Sequence, residues 1–557
     1  MNGGSACLRL SETGAFLAGG PRFRTAKREA EWYAARPGLC TGRQGLRVFV
    51  LPGRRRAMRS NEGKGTTQPV SKLNTDLPRR LARALLTRTF LFMQRHSTLV
   101  PAGVRQLVRG HLSRAVTLEM APVADWTKSL IPANSSGPVQ WPEPVAADVA
   151  HAGTRPHNQG QSSPSVRCLI ATETLDAGGM DEVVGFLARG LPQFGLSVAI
   201  LHTPADGVSP LGRLGQVLRK EGIEVASVGR ENCEAWIRDW KPDVLSIHGS
   251  PNWVLEAAAG CSVPAIETLH GMHNEFNAAA SEVAGRRQLL AGLVSVSEMV
   301  RRQYLAIHSS CDPASVVTIP NGVPAHREQA MPREQARKIL GLNNEYLFLS
   351  LSRHCIQKNT YGLAAAFSRV AGAVPQAHLL ICGRPDDTAY AGQVVGLKGK
   401  MQNGGRLHLR DHSPHPRVLL SAADGFVLDS FFEGWALSSM EALVAGVPVI
   451  ISDVGGAVEQ LADRPEWGRL VPNPLGNPLE VDWESMTAAR FQRQTNQDEL
   501  VEAMISFTRD QVPDRTPGSF AAEAAARFDG ALCLRRHAGV LKAAAVGEPI
   551  GCAQPAL

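Results

Sequence analysis

From Val166 onward the chain repeats one pattern twice. Short apolar runs alternate with helical stretches: VRCLIAT, LSVAILHT, DVLSIHG, PAIETLHG, GLVSVSE and VVTIPNG. After Met331 the pattern restarts with YLFLSLSR, HLLICGR, RLHLRDH, GFVLDS, PVIISD and GRLVP. Two successive sets of this kind predict two parallel-sheet α/β domains. In such sheets ligands bind beyond the carboxyl ends of the strands, so two facing sheets place a site in the cleft between them.

The flanks read differently. Residues 1–76 are rich in Gly, Arg and Ser without a sustained period, and read as disordered or as a misassigned start. Residues 77–118 mix arginines with Leu, Val and Phe at helical spacing. They read as a basic helical extension that either contacts an anionic membrane or packs on the body. Residues 119–165 are a linker by composition. The expected domains are 166–330 and 331–480, followed by terminal helices over 481–546 and an unstructured tail, 547–557.

The net charge of +8 is an uneven average. Residues 1–165 carry 24 Lys/Arg against 9 Asp/Glu, and the remaining 392 residues carry 35 against 42. The body is therefore mildly acidic, and its charge does not point to nucleic acid. Ten scattered cysteines form no C-x-x-C pair, which argues against a zinc ribbon or a disulfide framework and for a reducing, cytoplasmic setting. Attachment to the inner face of the membrane rests on residues 77–118 alone. No apolar run approaches the ~18 residues of a membrane span. GKGTT at Gly63 lacks the glycine and the preceding strand of a phosphate loop.

Several stretches carry candidate chemistry. In SRHCIQKNTYG, Arg353 ends a strand and Lys358 follows just before an apolar helix. Two cations beside a helix N-terminus suit a phosphate or diphosphate, although strand-to-helix loops also carry solvated cations. Gly178 and Gly179 follow the first strand, where small residues let a ligand approach the backbone. In FFEGWALSSMEALVAG, Glu433 lies on the loop after GFVLDS and Glu441 lies in the next helix. A carboxylate accepting two hydrogen bonds matches a vicinal diol. Gly455 and Gly456 sit beside the same edge. His248 and His270 end strands of the first domain, and His248 reads first as a hydrogen-bonded structural residue. His270 and His273 have H-x-x-H spacing but no evident third ligand, so no metal is expected.

In order and spacing, these stretches resemble the retaining glycosyltransferases of family 4, the group 1 family, over about residues 166–475. GGMDEVVGFLARGL resembles the Gly-Gly donor loop and its helix, PAIETLHG the strand bearing the active-site histidine, and IPNGV the turn into the interdomain linker. LSRHCIQKN resembles the Arg-x4-Lys diphosphate clamp, and SFFEGWALSSMEALVAGVPVIISDVGGAVEQL the E-x7-E signature. The resemblance implies two Rossmann-like domains facing across a cleft (GT-B type), beyond a basic, partly disordered N-terminal extension. It implies transfer from a UDP- or GDP-sugar to a glycan, glycolipid or other hydroxyl acceptor, with retention and with neither cofactor nor metal. Arg353 and Lys358 would stabilise the departing diphosphate, Glu433 would contact the sugar and Glu441 the ribose. Backbone groups at Trp435, Ala436 and Leu437 would meet sugar and phosphates, Gly178 and Gly179 would line the donor, and His270 would face the reaction centre. The family's second glycine of this turn is Ala436 here, a methyl that would tighten the sugar pocket. LHLRDHSPHP lacks the usual glycine before the base-binding loop, which leaves the base open. Acceptor choice would lie in loops such as GMHNEFNAAASEVAGRR. A related epimerase or hydrolase, and a non-catalytic sugar-nucleotide binding module, are the competing readings.

Overall fold

The structure is a computed structural model that describes residues 165–553, apart from 177, 205–209, 273–275, 277–279, 324–330, 414, 462–463, 465 and 510–519. The expectations for residues 1–164 and for His273 lie outside the described residues, as does much of the loop expected to choose the acceptor.

Two all-parallel sheets carry the architecture. The first has the order β3-β2-β1-β4-β5-β6-β7. Its strands are β1 (Val166–Thr172), β2 (Leu196–His202), β3 (Glu224–Ser227), β4 (Val244–His248), β5 (Ala265–Leu269), β6 (Gly292–Ser295) and β7 (Val316–Thr318). The second has the order β10-β9-β8-β11-β12-β13. It comprises β8 (Tyr346–Leu351), β9 (Ala377–Cys382), β10 (Leu407–Arg410), β11 (Gly425–Leu428), β12 (Val449–Ser452) and β13 (Gly468–Val471). In both sheets the strand order reverses beside the first strand of the set, β1 or β8, which opens a crevice at the carboxyl edge. Apart from the edge strands β3 and β13, the strands are largely buried on both faces by helices, which is why they read as unbroken apolar runs rather than as alternations.

The sequence reading passed over β3. Its residues, EVAS, bury only Val225, and it sits at the sheet edge, so it carries almost no hydrophobic signal. The C-terminal part also departs from the expectation. Within the expected terminal helices, FAAEAAARFDGALCLRRHAGVLKAA carries helical residues throughout yet forms two helices, Ala521–Arg527 and Gly530–Ala545, the second capped by the Asp529 side chain, which accepts the Ala531 N–H. The first piece packs Phe520, Ala524 and Phe528 with Trp467 of the second domain, while the second packs Leu534, Ala538 and Leu541 against Ile170, Val184 and Leu187 of the first. The chain thus crosses back to the domain it began in. The crossing touches the outward passage directly: Val323 N–H donates to Phe528 O at 2.8 Å. A Cβ at Gly322 would lie 2.7 Å from the Gly530 Cα. The tail is not wholly unstructured, because Ile550 opens a short 3-10 turn and is buried against the first domain. No helix among the described residues is long and apolar enough to cross a membrane.

Candidate functional site

The carboxyl edge of the second sheet gathers most of the expected residues. After β8 the chain turns through Arg353 to Lys358 and enters helix Thr360–Ala373. Asn359 adopts a left-handed conformation, φ 50°, and is fully buried. Its amide donates to Asp429 Oδ2 at 2.8 Å and to Gln494 Oε1 at 2.7 Å, and Asn496 donates to the other Asp429 oxygen. Burial, opposed by the Asn496 and Asn359 donors, pushes Asp429 up to about 7. This buried network fixes the residue next to Lys358 and so restricts where the lysine can reach.

Lys358 Nζ donates to Glu433 Oε1 at 2.6 Å, and Ser430 Oγ donates to the same oxygen at 2.6 Å. Both partners are largely buried, with side-chain exposures of 16% and 7%. Arg353 is more open. Its guanidinium donates to Asp386 Oδ2 at 2.6 Å and to Gln357 Oε1 at 3.2 Å. Arg384 donates to Asp386 from the other side and also reaches Asp176 Oδ2 in the first domain at 3.1 Å. Burial favours the neutral acid at Asp386, but Arg384 and Arg353 outweigh it and hold this carboxyl below the usual range.

Gly434 brings the two domains together. A Cβ built there would overlap the His270 carbonyl oxygen and come within 3.0 Å of the Gly271 nitrogen. The loop after β11 therefore presses its backbone directly against the end of β5. A Cβ on Gly455, at φ +48°, would likewise overlap the Glu433 and Gly434 carbonyl oxygens, and Gly456 N–H donates to Gly434 O at 2.9 Å. The Trp435 ring turns inward, donating from Nε1 to Met440 Sδ and packing edge-on to Phe528, so only its backbone lies at the surface of the turn. Ala436 has φ −72°, which any residue adopts, so the turn does not require the family's glycine here. Helix Leu437–Val444 starts after it and carries Glu441, half-buried, in its second turn. Glu459 reaches across to accept the Glu298 N–H of the first domain at 2.7 Å.

In the first domain, Gly178 and Gly179 begin helix Gly179–Gly190 after β1. The buried Asp181 holds this turn, accepting the N–H groups of Asp176 and Gly178 and the Thr174 hydroxyl. A Cβ at Gly179 would lie 3.8 Å from Leu437 Cδ1, so this turn and the start of helix Leu437–Val444 face each other across the cleft. His270 is half-buried, and its Nε2 lies 2.7 Å from His248 Nδ1.

The structure thus joins Lys358 to Glu433, His270 to Gly434 and Gly179 to Leu437. Reading the sequence missed Ser430, Asp386, Arg384 and Asp181. Ser430 and Asp386 follow strands of the second sheet, so the strand-end rule applied to every loop would have singled them out. Among the described residues, no group of three His, Cys, Asp or Glu side chains could hold a metal ion.

Comparison with known proteins agrees with this architecture. Residues 177–327 match the family model for glycosyltransferase family 4, and residues 332–478 match that for glycosyl transferases group 1, together more than half of the chain. A D-inositol 3-phosphate glycosyltransferase of Segniliparus rotundus is 25% identical over 358 residues, 57% of this chain and 78% of the relative. An alpha-maltose-1-phosphate synthase of Mycolicibacterium smegmatis is 29% identical over 180 residues, 31% of this chain and 46% of the relative. The crystal structure of Anabaena HepE with UDP and glucose superposes with a TM-score of 0.54 at 16% identity, covering 68% of this chain and 99% of that one. With β2 to β7 of the first sheet and all of the second inside these matches, the chain belongs to the group 1 glycosyltransferases.

Proposed function

We propose that the protein transfers a hexosyl unit from a UDP- or GDP-sugar to a hydroxyl of a glycan, glycolipid or similar acceptor, retaining the anomeric configuration. One observation carries the reading furthest: Arg353, Lys358 and Glu433 converge at the carboxyl edge of the second sheet, and the same loop abuts His270 through Gly434. Two cations at a strand-to-helix turn suit a diphosphate, and a carboxylate beside them suits sugar hydroxyls. UDP and glucose, bound in the Anabaena neighbour, are consistent with this donor class.

In the proposed step the bond between the sugar C1 and the terminal phosphate oxygen breaks, and its electron pair leaves with the nucleoside diphosphate. The acceptor oxygen bonds to C1 on the same face, and its proton passes to the departing phosphate. Arg353 and Lys358 offset the charge that develops on the diphosphate, so no metal is needed for that purpose. Arg353 would exchange Asp386 for phosphate, while Lys358 keeps Glu433 oriented. Glu441 would hold the ribose, the backbone at Trp435, Ala436 and Leu437 would meet sugar and phosphate, and Gly178 and Gly179 would close over the donor. His270 would stand at the reaction centre.

Incubating the full-length chain with UDP-, GDP- and ADP-hexoses tests this directly, with proton NMR following the first sugar released or transferred. An α-linked donor should give the α-product before mutarotation. A β-product would overturn retention. Nucleotide binding without turnover of any donor would favour a binding module.

A further inference from the structure

Behind His270 lies a buried polar chain that the proposed reaction does not use. Ser246 and His248 occupy the same face of β4, two residues apart, at its carboxyl end. His248 is fully buried. Ser246 Oγ lies 3.0 Å from its Nε2, and His270 Nε2 lies 2.7 Å from its Nδ1. The two rings are 5.0 Å apart between centroids and tilted by 39°. This face of the first sheet is covered by helix Gly530–Ala545, which brings in the buried His537. Burial first, then His270 and His537, holds the His248 pKa well below the usual histidine value. His248 is therefore a neutral imidazole with one proton and two occupied nitrogens.

That arrangement allows two linked states. If the Ser246 hydroxyl donates to His248 Nε2, His248 Nδ1 donates to His270 Nε2, and His270 carries its own proton on Nδ1. If His270 Nε2 donates instead, His248 passes its proton donation on to Ser246, and His270 Nδ1 holds a lone pair. In either state the tautomer of His270 is coupled to His248, because one nitrogen of each ring shares a single proton. We propose that His248, backed by Ser246, is a positioning residue that holds the ring plane of His270 and ties its tautomer to the direction of the Ser246–His248 hydrogen bond. The inference rests on the reading of His270 as a residue of the transfer site. His248 itself does not touch the reacting atoms.

Two measurements on the full-length chain test it. The first is imidazole 15N chemical shifts on protein with labelled histidine, with His270 assigned by its loss in His270→Gln. Wild type sets the reference balance of His270 tautomers. His248→Phe, which keeps ring volume but no hydrogen bond, should change that balance, and Ser246→Ala should shift the balance without adding bulk. This readout needs no turnover, so it stands even if the chain transfers no sugar. The second is steady-state transfer with the donor found above. His248→Phe should lower kcat about 10²-fold, the scale of a group misplaced by an ångström, with donor KM unchanged. His248→Asn, which can still bond toward His270, should recover most of the loss. An unchanged His270 tautomer in both His248→Phe and Ser246→Ala would overturn the proposal while leaving the transferase reading intact. Equal loss in His248→Phe and His248→Asn, or a rise in KM without a fall in kcat, would likewise assign His248 to packing alone.

Discussion

Lys358→Ala should reduce nucleotide-sugar turnover about 10²–10³-fold, the usual cost of removing one group that stabilises developing charge. The same substitution should also weaken the fold. It leaves the Glu433 carboxylate buried with Ser430 as its remaining donor, and removing one partner of a buried ion pair costs about 3–5 kcal/mol. A second variant separates the two effects. Lys358→Met combined with Glu433→Gln removes both charges and leaves no buried charge unpaired, so it should regain most of the stability lost in Lys358→Ala. It should regain none of the turnover. Urea denaturation and steady-state kcat, measured on all three proteins, check both parts. A Lys358→Ala protein that remains as active as wild type would remove the lysine from the site.

The second large effect is expected at Gly434, through backbone rather than charge. A methyl there meets the His270 carbonyl and the Gly271 nitrogen, neither of which is the end of a flexible side chain. Either the loop after β11 or the end of β5 must move, and both carry site residues. Gly434→Ala should therefore lower kcat about 10²-fold, with about 1–3 kcal/mol of destabilisation from the overpacked contact. Gly399 provides the control. It lies in helix Thr388–Lys400, and a Cβ there meets nothing within 4 Å. Gly399→Ala should leave kcat unchanged and stabilise the protein by up to about 1 kcal/mol, because alanine favours the helix. Transfer rates and melting temperatures of the two alanine variants give the comparison. If Gly434→Ala matched Gly399→Ala, the close approach of the two domains at His270 would have no bearing on the reaction.

Much of this architecture can be read from the chain because parallel strands buried on both faces leave contiguous apolar runs. The six runs after Met331 correspond to β8 through β13. β3 escaped for the opposite reason: it is an edge strand whose one large apolar residue is Val225, whereas the edge strand β13 still carries the adjacent Leu470 and Val471. The break at Asp529 carries a turn signal, the Asp529-Gly530 pair, but helix-forming residues on both sides outweigh it in a reading by periodicity. At the site, sequence order conveyed which residues lie at the strand ends better than how they pair. Lys358 and Glu433 are 75 positions apart, and His248 and His270 are 22 apart on neighbouring strands. Such pairings follow from strand order and side-chain direction, neither of which a linear motif contains. The reading of His248 as a hydrogen-bonded structural residue named its environment but not its partner.

The claim that the second sheet's edge is a nucleotide site is tested most directly by thermal unfolding of the full-length chain with UDP, GDP or ADP, in wild type and in Glu441→Gln. A nucleotide at ~100 times its dissociation constant adds ~2.7 kcal/mol of stability, enough to move the melting temperature measurably. One nucleotide should raise the wild-type melting temperature, and Glu441→Gln should diminish that shift. A folded protein indifferent to all three nucleotides would contradict the account.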